Sequence, residues 1–187
     1  MGSAPIVQAP AFQGDLVRLR TPERADSANF VRWFSDPELL HWLHLSEGPQ
    51  ITEGAWLKNY EEVREDPGVI VWVIETLDGW PIGHLGLNHI DPVHFRATLF
   101  ISISEKDRWG QGYGTDAIRL VLRDAFERQN LRRVDLITDA DNARGIRCYE
   151  KCGFVREGLL RGHRLRYGKP LDMVQMGVMR EDFRRGA

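Results

Sequence analysis

Residues Arg108 to Ala117 read Arg-Trp-Gly-Gln-Gly-Tyr-Gly-Thr-Asp-Ala, and no other stretch restricts the chain as strongly. They follow an apolar, strand-like run, Thr98 to Ser104, and open a helical run, Tyr113 to Arg128. Glycines at alternate positions 110, 112 and 114 remove Cβ atoms from the path, so successive N–H groups can turn toward one point. The following helix adds the unpaired amides of its first turn and the positive end of its dipole. A strand, an anion cradle and a helix in that order predict an α/β protein with a phosphate-bearing ligand.

Two phosphate loops do not fit. A P-loop needs G-x-x-x-x-G-K-[ST], and the lysine is missing. The dinucleotide fingerprint is G-x-G-x-x-G on a first βαβ unit, whereas here the spacing is G-x-G-x-G and several strand-like runs come first. A nucleotide-binding protein is therefore disfavoured.

The rest of the chain supplies a fold around this loop. Leu16 to Arg20 alternates as a first strand, and Thr21-Pro22-Glu23 signals a helix from Pro22 to about Phe34. A short helical piece, Pro37 to Leu43, and a longer helix, Thr52 to about Glu65, come next. Val69 to Thr76 is a β-branched strand; Asp78-Gly79 turns into Pro81 to Ile90, and Asp91-Pro92 into Ala97 to Ser104. Arg133 to Thr138 is a fifth strand, Asn142 to Lys151 a helix closed by Gly153, and Phe154–Arg164 with Leu171–Met179 a final pair. No repeat or linker divides it. The expectation is a loose lead-in over 1–13 and a single domain over 14–187.

Composition narrows the function class. The chain has 187 residues, 42% apolar and 28% charged, with a net charge of −2. That is enough for a sizeable core and argues against a general nucleic-acid or anionic-membrane binder. No apolar run approaches the ~20 residues of a membrane span, and no signal-like leader is evident, so cytoplasmic is the expected compartment. Cys148 and Cys152, four apart on one helix, suggest reduced thiols, not a disulfide framework. His41 and His44 have helical spacing, but no third ligand accompanies them, so no metal is expected.

A second motif completes the pattern. Asn142 and Tyr149, seven apart, return to one face of their helix. With Trp109, Gly112 and Gly114 in the glycine loop, the chain resembles the GNAT superfamily of acyl-CoA N-acyltransferases, whose loop is written [QR]-x-x-G-x-[GA]. Asn142, Tyr149, Lys151, Gly153 and Phe154 match its N-x-x-[AS]-x-x-x-Y-x-[KR]-x-G-F segment, with Gly145 at the small-residue place. Trp109 departs from Gln or Arg, but W-G-x-G-Y-[AG]-T-[ED]-A is similar to the branch holding ribosomal-protein N-terminal and spermidine acetyltransferases.

The resemblance implies a mostly antiparallel, twisted mixed sheet of about seven strands, splayed between the fourth and fifth. It implies acetyl-CoA as co-substrate, its pantetheine arm paired to Ile101, Ser102 and Ile103. Arg108, Trp109, Gly110, Gln111, Gly112, Tyr113, Gly114 and Thr115 would hold the pyrophosphate, with Arg108 or Arg144 near the 3′-phosphate. Asn142 would bond the pantetheine or the acceptor. A strand N–H near Ile101 would steady the oxyanion, and Tyr149 would protonate the leaving thiolate. A core tyrosine is the plainer alternative for Tyr149.

The general base is open. Relatives frequently carry Glu where this chain has Thr98, which cannot do that job by itself; His89 is the first substitute, ahead of Asp91, His94 and Glu105. Trp33, His41, Trp42, His44, Trp56 and Tyr60 would wall the acceptor site or simply fill the core. The acceptor is a primary amine on a protein N-terminus, a polyamine or a small molecule. For a polyamine, Glu47, Glu53, Glu61, Glu62 and Glu65 could supply an acidic groove. A non-catalytic acyl-CoA-binding module is the competing class. Monomer and homodimer are both open.

Overall fold

The computed structural model describes residues 11–43 and 51–185. Its strands are β1 (Phe12–Gln13), β2 (Val17–Arg20), β3 (Ile70–Thr76), β4 (Pro81–Asp91), β5 (Arg96–Ile103), β6 (Arg133–Asp139), β7 (Val155–Arg166) and β8 (Lys169–Met179). They form one 8-stranded sheet in the order β1-β2-β3-β4-β5-β6-β8-β7. Each neighbouring pair is antiparallel except β5 and β6. The eighth strand is the two-residue β1, taken from the end of the expected lead-in and paired to β2. It shifts the count, so the fourth and fifth strands of the sequence reading are β5 and β6.

Helices cover both faces: α1 (Ser27–Trp33), α2 (Pro37–Trp42), α3 (Glu53–Glu65), α4 (Tyr113–Arg123), α5 (Ala143–Lys151) and α6 (Arg180–Arg185). The main core lies between the sheet and α4, joining Leu19, Leu85, Leu87, Leu99, Ile118 and Val121. A second cluster, Phe30, Trp33, Leu39, Trp56 and Val73, packs α1 to α3 on the opposite face. Alternation along the strands makes this possible: on β5, Ala97 and Leu99 join the main core, while Phe100 points to His84 beneath α1.

Two helices begin or end differently from the sequence reading. The first helix starts at Ser27 because buried Asp26 accepts the Glu23 amide (2.7 Å) and both Arg20 terminal nitrogens (2.7 Å each), tightening residues 24–26 into a 3₁₀ turn. The helix after the glycine loop is α-helical only to Arg123 and continues as a π turn over Asp124–Arg128. The β7–β8 hairpin turns at Tyr167 and Gly168, whose φ values of 50° and 73° match the left-handed pair of a two-residue hairpin.

Candidate active site

β5 and β6 pair at only three positions, Arg96↔Arg133, Ala97↔Val134 and Thr98↔Asp135. Beyond Thr98 they part, leaving residues 99–103 of β5 without a partner on that side. The splay expected from the sequence is present. A cleft of about 650 Å³ fills it, bordered by β4, β5, the glycine loop, α2 and α5.

The glycines act for different reasons. Gly110 and Gly112 have φ of 77° and 94°, where a side chain is strained. Gly114 is helical; a Cβ there would lie 3.4 Å from Cys148 Sγ, an ordinary contact, so α4 and α5 meet closely at this point without requiring a glycine. The first helical bond is from Asp116 N–H to the Gly112 carbonyl, 3.0 Å, so the amides just before it have no helical acceptor. Asp116 itself accepts the Leu16 and Val17 amides, 2.8 and 3.0 Å, and clamps β2 to α4.

Trp109 contributes its ring as well as its backbone. Its Nε1–H donates to the Ile103 carbonyl, 2.6 Å, and the Arg144 guanidinium lies 3.6 Å from the ring centre. Since that carbonyl points away from β4, the alternation of an antiparallel ladder turns the backbone groups of Leu99 and Ile101 the same way, into the gap. Ser102 faces β4 with its backbone; its hydroxyl borders the cleft and lies 3.0 Å from Ser104 Oγ.

Asn142 caps α5. Its Oδ1 accepts the Gly145 amide at 3.0 Å, and Nδ2 donates to Thr138 Oγ1 at 3.1 Å. A Cβ at Gly145 would fall 2.5 Å from Asn142 Nδ2, so the small residue protects the cap. Tyr149, two turns on along the same face of α5, borders the cleft and packs edge-on against Phe154. Burial pushes its phenol up, reinforced by Cys148 and Cys152 and opposed by a bond to Thr138, so it stays protonated. Cys148 also borders the cleft, its thiol lowered to about 7, first by its bond to Cys152.

The proposed bases separate clearly. His89 borders the cleft, exposed on an irregular stretch of β4 with φ of 49°. Asp91 accepts the Val93 and His94 amides, 2.9 Å each, and closes the β4–β5 turn. Glu105 is tied to Arg32 and, at 2.9 Å, to Trp33 Nε1. His94 is exposed and, like Asp91 and Glu105, not part of the cleft border. His84, absent from the sequence reading, is: it is buried among Phe30, Trp33, Phe34 and Phe100, and burial lowers it to about 4.

Of the expected aromatic wall, Trp42 borders the cleft, whereas Trp33, Trp56 and Tyr60 belong to the second core cluster. His41 packs against Trp42 and Tyr167. His44 and Glu47 lie outside the described residues. Glu53, Glu61, Glu62 and Glu65 stand on α3, none on the cleft border; Glu61 binds Arg24 and Arg64, and Glu62 meets Lys58. Among the described residues, no group of three or more His, Cys, Asp or Glu is placed to hold a metal ion. No helix among them is long and apolar enough to cross a membrane.

A parted parallel pair beside a glycine loop and a capped α5 is the architecture of an acyl-CoA transferase. The GNAT acetyltransferase domain model matches residues 17–155, and the chain belongs to that family. The spermidine N(1)-acetyltransferase of Escherichia coli K12 is 31% identical over 177 residues, covering 89% of this chain and 88% of that protein. Among solved structures, spermidine N-acetyltransferase from Vibrio cholerae in complex with CoA and spermine superposes with a TM-score of 0.83 at 24% identity, covering 89% and 97% of the two chains. Mycobacterium smegmatis RimJ in complex with CoA-disulfide gives 0.80 at 20% identity, covering 91% and 87%. The protein is an acetyl-CoA-dependent N-acetyltransferase. Its cleft fits that co-substrate: free helix-start amides suit a diphosphate, and an unpaired strand edge suits an amide-bearing arm.

Proposed function

We propose that the chain acetylates a primary amine lacking further positive charges, an α-amine of a peptide or a small monoamine, by direct attack on acetyl-CoA. In this reading the amides of Gly110 to Thr115 hold the pyrophosphate, helped by Arg108, and Arg144 on Trp109 borders the nucleotide end. Leu99 and Ile101 offer their backbone groups to the pantetheine, and the Ile101 N–H is the donor for the oxyanion. Asn142 keeps α5 in place, which sets Tyr149 facing the sulfur. The acceptor nitrogen attacks the thioester carbonyl, and Tyr149 gives its proton to the departing thiolate.

What carries the choice of acceptor is the charge of the cleft. Its border, among the described residues, includes Arg108, Arg144, Arg147 and Lys151 and no Asp or Glu. The cations serve the coenzyme's phosphates, and on the acceptor side, beside Trp42, His84, Asn88 and Phe100, a polyamine would find no carboxylate to hold its further charges. An α-amine also ionises near 7.7–8.0, against about 10.4 for an alkylamine, so far more of it is neutral and able to attack at pH 7.5. The testing experiment follows thiol release with a peptide bearing a free N-terminus, spermidine, free amino acids and an aminoglycoside. The expected result is a higher kcat/KM for the α-amine than for spermidine. A preference for spermidine would overturn the acceptor class and leave the acetyl-CoA half intact.

A further inference from the structure

Thr98 and Asp135 are the last cross-strand pair before β5 and β6 separate, so they stand at the apex of the cleft. Thr98 Oγ1 lies 3.0 Å from Asp135 Oδ1. An ionised carboxylate only accepts, so the hydroxyl must donate to it, and the remaining oxygen lone pairs are left for another donor. Thr98 borders the cleft; Asp135 lies one hydrogen bond behind it, its side chain 15% exposed.

The two faces of the sheet separate acid from base. Thr98, Phe100 and Ser102 share the face beneath α1 to α3, and the parallel register puts Asp135 beside Thr98. Leu99 and Leu136 belong to the opposite face with α4, where Tyr149 also packs. A thioester lying in the parted strands would have Tyr149 on one side and the Thr98 hydroxyl on the other. That arrangement suits direct attack, because the group that takes a proton from nitrogen stands apart from the group that gives one to sulfur.

We propose that Thr98 is a catalytic residue which takes the acceptor's proton, and that Asp135 is the positioning residue that orients its hydroxyl and receives the proton behind it. This rests on the direct-attack reading above. As the C–N bond forms, the nitrogen gives one proton to Thr98 Oγ1, and the Thr98 hydroxyl proton passes to Asp135 Oδ1. The C–S bond then breaks, the electron pair leaves on sulfur, and the Tyr149 proton joins it. Asp135 is left as an acid and Tyr149 as a phenolate; one proton moved through solvent restores both.

The surroundings keep Asp135 able to do this. Its Oδ2 accepts from Arg133 Nε at 3.3 Å, while both terminal nitrogens of Arg133 grip Glu157, at 2.6 and 2.5 Å. The cation is therefore largely neutralised by Glu157 before it reaches Asp135. Across the ladder on β8 stands Gly177, which has no side chain; a Cβ there would collide with Glu157 and Arg133. On the Thr98 side, Asn88 of β4 is uncharged, and Arg96 pairs with Asp91 at 3.6 Å.

The test compares kcat at saturating substrates, and KM, for the full chain and five variants. Asp135→Asn keeps an acceptor for the Thr98 hydroxyl but removes the proton sink; it should lower kcat about 100-fold and leave the KM for acetyl-CoA little changed. Thr98→Val should do the same, Thr98→Ser should retain most turnover, and the double variant Thr98→Val/Asp135→Asn should be no worse than either alone, as for groups acting as one unit. The thermal shift given by acetyl-CoA should persist in all of them. Wild-type kcat in Asp135→Asn would overturn the proposal, as would a loss of kcat confined to His89→Ala. Loss of the acetyl-CoA shift in the folded wild-type chain would instead strike the direct-attack reading itself.

Discussion

The two sides of the cleft are built by different means. The coenzyme side is made of backbone: positive-φ glycines, a helix start without acceptors, and a strand edge left open by the parting of β5 and β6. The acceptor side is made of side chains brought from distant places: Trp42 of α2, His84 and Asn88 of β4, and Phe100 of β5. Backbone sites tolerate most substitutions except those that change conformation. Side-chain sites change with every residue. One half can therefore be shared across enzymes with different acceptors, while the other sets the acceptor.

The sharpest way to break this contrast is Gly112→Val. Its φ of 94° is closed to a β-branched residue, and a Cβ there would come within 3.1 Å of Leu16 Cδ1. The acetyl-CoA thermal shift should disappear and turnover fall below detection, with the far-UV spectrum unchanged. A normal shift would mean that the loop backbone does not hold the coenzyme. Tyr149→Phe comes next: kcat should fall about 100-fold, the lower end of what a positioned acid contributes, with acetyl-CoA affinity little altered. Because burial raises the Tyr149 phenol, its acid form persists well into alkaline solution, so no alkaline limb below about pH 10 should belong to it. A limb near neutrality that vanished in Tyr149→Phe would contradict this.

The same contrast explains which features could be read from the sequence. The glycine loop and the Asn142–Tyr149 segment are local: each is a run of consecutive residues whose spacing fixes the geometry of one turn or one helix. The strands were legible from alternation, β-branched content and turn residues, whereas Asn142 reads in the sequence only for its part toward the coenzyme or the acceptor, and its cap of α5 comes from the structure. Asp135 was not, because its nearness to Thr98 comes from the parallel register of strands 37 residues apart. His84 reads as one more strand residue until Phe30, Trp33 and Phe34 fold over it. The Trp109 ring was hidden for a different reason. A motif records which residue occupies a place, and the bond from its indole to Ile103 depends on how the loop folds back on the strand it leaves.

The smallest effect is expected where the acceptor side is fastened to the coenzyme side, at Glu105. This carboxylate, just past β5, accepts from Trp33 Nε1 and binds Arg32, so α1 is tied to the strand whose other edge faces the coenzyme. Burial would raise its pKa, but the bonds from Arg32 and Trp33, with the charges of Arg32 and Arg108, outweigh it and hold the group below its ordinary 4.5. A carboxyl lowered on folding stabilises the folded state above its unfolded pKa, and that contribution fades as pH falls through the lower folded value. Glu105→Gln keeps an oxygen for the indole and removes the charge. It should cost about 2 kcal/mol, the loss of charge on a partly buried bond, and lower Tm at pH 7 by about 4–8 °C. The difference in Tm from wild type should shrink as pH is lowered past 4.5. Acetyl-CoA binding should be little affected and the acceptor KM should rise only a few-fold, since α1 supports the acceptor wall and its cluster meets the glycine loop only through the Trp109 ring, not through the loop amides. If acetyl-CoA affinity fell as far as acceptor affinity, the two sides of the cleft would be one mechanical unit, and the division between a shared backbone half and a variable side-chain half would fail.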